Sequence, residues 1–223
     1  MSAPIRPEDF DNCSSIFDLL QSGDAMTPRE NEIEAIGFAA GTRVATPLGY
    51  VAVERLAAGD RILTADGRHP RLVWVGITRL PAVGANAPVK FETGVMDNMR
   101  PLRIGQGHRV RVAGWRAELL FDAEAVLATA KSFVNDMDVV IDRSVEEVTY
   151  VHLMLDQHHV VLAENVACET LRAGPDGLRV LDEMARRAVD VHHPEIPRSA
   201  NGTTEMSALP ILTADEERVL RAA

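Results

Sequence analysis

Between residue 36 and about residue 171 apolar residues fall in short runs separated by turn-forming residues. Arg43-Val44-Ala45, Tyr50-Val51-Ala52-Val53 and Arg61-Ile62-Leu63-Thr64 alternate or cluster as half-buried strands do. Thr46-Pro47-Leu48-Gly49, Ala58-Gly59-Asp60 and Asp66-Gly67 break them, Pro by presetting φ and Gly by supplying a positive φ. Hairpins are therefore expected. A longer strand is predicted over 71–78, followed by an irregular loop over 81–88 that contains Gly, Pro and Asn. Leu102-Arg103-Ile104 and Arg109-Val110-Arg111-Val112 flank the loop Gly105-Gln106-Gly107-His108. The strongest strand pair is predicted over 148–155 and 159–163, joined through Asp156-Gln157-His158. One internal helix is predicted over 122–131, with Asp122 as N-cap, an acid in its first turn and Lys131 in its last.

The flanks read differently. Residues 1–35 form an acidic extension with one short apolar stretch at 15–20, where a brief helix is expected. After residue 171 the pattern turns helix-like over 178–189, then Pro/Asn/Gly/Thr-rich, then helical again near 215–221. The expected organisation is an N-terminal extension (1–35), a β-rich domain (36–171) and a helical and loop extension (172–223).

At 223 residues, 46% hydrophobic and 25% charged, the chain has the balance of a globular protein with one main buried core. Its formal charge of -10 repels phosphate backbones and anionic lipid, so nucleic acid is not an expected partner. No apolar run approaches the roughly 20 residues that cross a bilayer, and residues 1–11 do not resemble a secretory signal. The expected location is the cytoplasm, or outside the cell by a signal-less route. Cys13 and Cys168 belong to no CxxC pair, which removes zinc-ribbon and thioredoxin-like readings; one disulfide between them is the remaining bridge.

Three ordered blocks carry a family resemblance. Residues 41–64 read Gly41-Thr42, Thr46-Pro47-Leu48-Gly49, Val53-Glu54-Arg55-Leu56, then Gly59-Asp60-Arg61-Ile62-Leu63. Residues 101–112 contain Gly105-Gln106-Gly107-His108, and residues 150–164 contain Asp156-Gln157-His158-His159. Together they resemble the Hint domain shared by inteins and hedgehog autoprocessing proteins. The last block is especially similar to a bacterial branch of short stand-alone proteins, as is the tail Pro210-Ile211-Leu212-Thr213. The resemblance implies an all-β, horseshoe-like fold with pseudo-twofold symmetry and short flanking helices. Its implied function is self-processing. In the hedgehog type a Cys at the first domain position attacks the preceding carbonyl and converts a peptide bond to a thioester.

In this chain Gly37 stands where the family has that Cys, and Gly105 where it has a Thr or Ser. Glycine has no attacking atom, and only His108 remains of the second block's chemistry. Cys13 lies far upstream, and Ala167-Cys168-Glu169-Thr170 does not reproduce the terminal His-Asn of inteins. His108 reads either as a retained cleft histidine or as a turn histidine. Strand alternation sends His158 and His159 to opposite faces, and His158 is the one expected in the cleft. Asp156 either orients His158, acts as a base or forms the turn. His152 reads as a packed or edge histidine. The set His152, His158, His159 and Cys168 matches no zinc-ligand spacing, and His192-His193 suggests no site, so neither metal nor cofactor is expected. The expected function is a Hint-fold scaffold that does not cleave itself and binds a peptide or protein partner. The alternative is autoproteolysis through a non-standard nucleophile or histidine-assisted hydrolysis.

Overall fold

A computed structural model describes residues 34–172 and 207–222. Twelve strands alternate with short turns: β1 (Phe38–Ala39), β2 (Arg43–Thr46), β3 (Gly49–Ala52), β4 (Leu72–Pro81), β5 (Val89–Phe91) and β6 (Leu102–Ile104) come first. β7 (Arg109–Ala113), helix α1 (Trp115–Phe121), β8 (Ala125–Thr129), β9 (Val139–Ile141), β10 (Glu147–Leu155), β11 (Val160–Ala163), β12 (Val166–Glu169) and helix α2 (Ala214–Ala222) follow. They build two six-stranded sheets, ordered β4-β10-β1-β6-β5-β9 and β3-β2-β11-β12-β7-β8. All the strand pairs are antiparallel. No described helix is long and apolar enough to cross a membrane.

The chain passes from the first sheet to the second at three places that matter for the site: between β1 and β2, between β6 and β7, and between β10 and β11. One continuous core ties the sheets together there. Phe38, Leu102, Ile104, Val151 and Leu153 of the first sheet join Val44, Val110, Val161 and Cys168 of the second, all with at most 1% of their surface exposed. Fully burying such a side chain contributes about 1.5–3 kcal/mol, so the crossovers sit where the sheets are held most firmly.

Most of the expected strands form within a residue or two of their predicted ends, and the tail helix appears as α2. Its start is a capping box: Glu216 Oε2 accepts from Thr213 N–H at 2.7 Å, while the Glu216 N–H reaches Thr213 Oγ1. Four departures have physical reasons. The helix expected over 122–131 is instead strand β8, and the helix lies just before it. Asp122 ends α1 in a left-handed conformation (φ 49°, ψ 41°) as its C-cap. Val126, Leu127 and Ala128 are all fully buried between β7 and the segment around Ile211, a burial that overrides the helix propensity of an Ala- and Glu-rich stretch. Residues 61–64 make only single bridges, Arg61 to Arg71 and Thr64 to Val161, because Ile62 turns fully inward. β4 runs on to Pro81, paired with Glu147. The sequence also hides β5, β9 and β12, whose runs of three or four residues are too short to stand out. The helices expected at 15–20 and 178–189 lie outside the described residues.

Ile104 is fully buried where β6 meets both β1 and β5. Ile104→Ala is expected to lower unfolding stability by about 2–5 kcal/mol, read from the urea midpoint at unchanged slope.

Candidate functional site

The site forms around the entry to β1 and the crossover between β6 and β7, with the crossover between β10 and β11 behind it. Gly37 precedes β1, His108 lies between β6 and β7, and His158 lies between β10 and β11. The Gly37 N–H donates to His108 Nδ1 at 3.1 Å, a buried bond. The loop before His108 completes the grip: Gly105 N–H donates to the Gly37 carbonyl at 3.0 Å and Gly107 N–H to the Ala35 carbonyl at 2.9 Å. Gln106, buried between the two glycines, donates to the Gly84 and Ala87 carbonyls and anchors the loop to the 84–87 turn.

The glycines at positions 37 and 105 each have a geometric reason. Gly37 has φ +108°, and a Cβ there would sit 3.1 Å from His152 Cε1 and Nδ1. A side chain at that position is therefore strained and crowded at once. Gly105 is tighter: its Cβ would lie 2.2 Å from the Ala35 carbonyl oxygen, a backbone atom that cannot swing away.

His108 is held as a neutral base. With Nδ1 accepting from Gly37, the neutral ring carries its proton on Nε2, and that nitrogen has no hydrogen-bond partner among the described residues. Burial pushes the imidazole well below its ordinary value, to about 4; the charges of Arg109 and His158 lower it further, against Glu169. Phe38 packs edge-on against the ring at 4.6 Å.

His152, expected as a packed histidine, is buried and bonded to Thr78 Oγ1 at 3.1 Å, yet the far edge of its ring faces Gly37. It lines a cleft of about 330 Å³ together with Gly37, His108, Glu169 and Thr170. His152 and Glu169 are the members of this group that sequence reasoning missed. A polar residue in the apolar run 150–155 was the available signal for the first.

His158 is not on the cleft wall. Its side chain is fully buried behind Glu169, with Nε2 3.4 Å from Glu169 Oε2, while Nδ1 accepts from the Ala208 N–H at 3.1 Å. Burial raises the Glu169 carboxyl, but the His158 hydrogen bond and the charges of Arg109, His108 and His158 outweigh it and hold the group below the ordinary carboxylate range. Arg109 also binds it directly, through its backbone N–H at 3.0 Å and its guanidinium at 3.2 Å. Asp156 does not orient His158: it is largely exposed and lies 3.3 Å from His159 Nε2 instead, because the turn places the carboxylate on the His159 side. Cys168 is buried in β12, where desolvation and the neighbouring Glu169 push its thiol far above the ordinary range. It offers no thiolate for attack. Among the described residues no three His, Cys, Asp or Glu side chains gather as a metal site. Cys13, His192 and His193 lie outside the described residues.

Residues 36–175 match the family of the Hint domain. The chain belongs to that family. Among solved structures, the MchDnaB-1 intein is 16% identical, with a TM-score of 0.40 over 59% of this chain and 98% of that one. A bacterial intein-like domain from Clostridium thermocellum is 14% identical, with a TM-score of 0.42 over 62% of this chain and 99% of that one. No curated protein matches. The all-β architecture implied by the motifs is thus the architecture of this Hint domain, and its family is one of self-processing domains.

The depressed His108 pKa sets a pH window. The unfolded ring takes up a proton below about 6.5 and the folded one only near 4, so folding loses stability as pH falls between those values. The loss attributable to this ring is roughly 3 kcal/mol, from 1.36 kcal/mol per unit. Urea unfolding of wild type and His108→Gln between pH 7 and 4 is expected to show this component in the wild type alone; equal slopes would contradict it.

Proposed function

We propose that this Hint domain does not cleave itself and serves as a scaffold whose cleft takes an extended peptide segment. Position 37 carries the reading. An acyl shift needs a sulfur or oxygen on the residue that follows the scissile carbonyl, and glycine has neither. Among the described residues the one thiol, Cys168, does not replace it, because it is buried with a strongly raised pKa. The hydroxyl of the second motif is also missing at Gly105, which leaves His108 as an acceptor for the Gly37 amide with no nucleophile to assist. His152 and Thr170 line the same cleft and offer polar contacts to a bound peptide, while Phe38 and Leu171 supply apolar ones.

Purified full-length protein is expected to keep one intact mass over days at neutral pH, whether or not dithiothreitol or hydroxylamine is present. A discrete break before Gly37 would overturn the reading. It would favour the alternative, autoproteolysis through a non-standard nucleophile or hydrolysis assisted by His108 and His158.

A further inference from the structure

We propose that a second cavity in this Hint domain binds a small carboxylate with a short apolar chain, and that Arg111 receives the carboxylate. The cavity is about 720 Å³ and shares no lining residue with the cleft at Gly37. The turn at residues 65–68 forms one wall and is fastened to β11 by the Ala65 N–H, which donates to the Val160 carbonyl at 2.8 Å. The tail at residues 207–209 forms another and is fastened by His158, whose Nδ1 accepts from the Ala208 N–H and lies 3.3 Å from Ser207 Oγ. Arg111 enters from the middle of β7. Val160 is buried in the lining and Leu209 half-buried, so an apolar chain of a few carbons has a surface to lie against.

The charge inside this cavity is unbalanced. Side chains two apart on a strand leave it on the same face, so Arg109 and Arg111 point to one side of β7. Glu169 takes Arg109. The Arg111 guanidinium is half-buried and has neither a hydrogen bond nor an ion pair with any described residue. A cation withdrawn from water without a partner costs free energy that a bound anion returns. The other charged groups of the cavity are already matched. Arg68 Nε binds Asp66 at 2.7 Å, and the Arg68 and Thr64 hydrogen bonds hold the Asp66 carboxyl far below the ordinary range, so that pair stays ionised and cancels. His159 Nε2 lies 3.3 Å from Asp156. One free cation beside an ionised carboxylate suits a monoanion and repels a doubly charged phosphate. The planar fork of a guanidinium meets a carboxylate through two parallel hydrogen bonds, which selects that class among monoanions.

Titration calorimetry of the full-length chain with hexanoate, hexanol, hexylamine and inorganic phosphate tests this, with amide NMR to place the ligand. Hexanoate is expected to saturate one site with a Kd at or below about 1 mM, and to bind at least tenfold more tightly than the other three. It should shift the Ala65 and Ala208 amides and leave Gly37 unmoved. Arg111→Gln should weaken hexanoate at least tenfold with an unchanged unfolding midpoint, because the guanidinium it removes has no partner to lose. Binding that does not saturate, hexanol or phosphate bound as tightly as hexanoate, shifts at Gly37 instead of Ala208, or wild-type affinity in Arg111→Gln would each overturn the site. If Arg111→Gln does not fold, Arg111→Lys decides, since it keeps the charge and loses the fork: weaker binding supports the site and wild-type binding removes it. A failure here leaves the proposed function untouched, because the two cavities share no residue.

Discussion

The bond from the Gly37 N–H to His108 Nδ1 is the contact on which the site depends. It links the entry to β1 with the crossover between β6 and β7, and it fixes the tautomer of a buried imidazole. Each backbone bond around it contributes only about 0.5–1.5 kcal/mol net. Their geometry matters more, because together they leave no room for a side chain at position 105 and little at position 37. A protein that places glycine at both points gains a close backbone fit.

Burial keeps the ring neutral, with the charges of Arg109 and His158 adding to it and the ionised Glu169 opposing it. Glu169 is buried but remains ionised, because Arg109 binds it twice and His158 lies against it. His158 is in turn fixed by the Ala208 N–H, so the segment around residue 208 reaches the back of the site. The same tail pairs Ile211 with Leu127, and Glu217 of α2 accepts from the Thr129 N–H at 2.6 Å. Burial of His108 costs the folded state stability only when the solution is acidic enough to protonate the unfolded ring. Near neutral pH the site is therefore at its most stable.

Much of this was legible in the sequence where order and spacing carried it. The string from Gly41 to Thr64, together with the later blocks, pointed to the family, and it singled out Gly37, Gly105 and His108, which the structure brings together. Alternation placed β4, β10 and β11. Legibility ended where a residue's role depends on a distant partner. His152 sits in an apolar run, and nothing local shows that its ring faces Gly37. Glu169 reads as one more acid until Arg109 and His158 are seen against it. Asp156 read as a turn former, a base or a partner of His158, and only the structure shows it beside His159. Residues 122–131 have the caps of a helix, yet Val126, Leu127 and Ala128 are needed on both sides of a strand, and burial decides. Gly105 looked like a lost hydroxyl; only the structure shows the Ala35 carbonyl occupying the space.

The most direct test of the central contact is the protonation state of His108, read by nitrogen-15 NMR of the histidine rings at neutral pH. A neutral ring with its proton on Nε2, a bare Nδ1 and a coupling from that nitrogen to the Gly37 amide is the result the structure predicts. A proton on Nδ1, or a charged imidazolium at neutral pH, would contradict it.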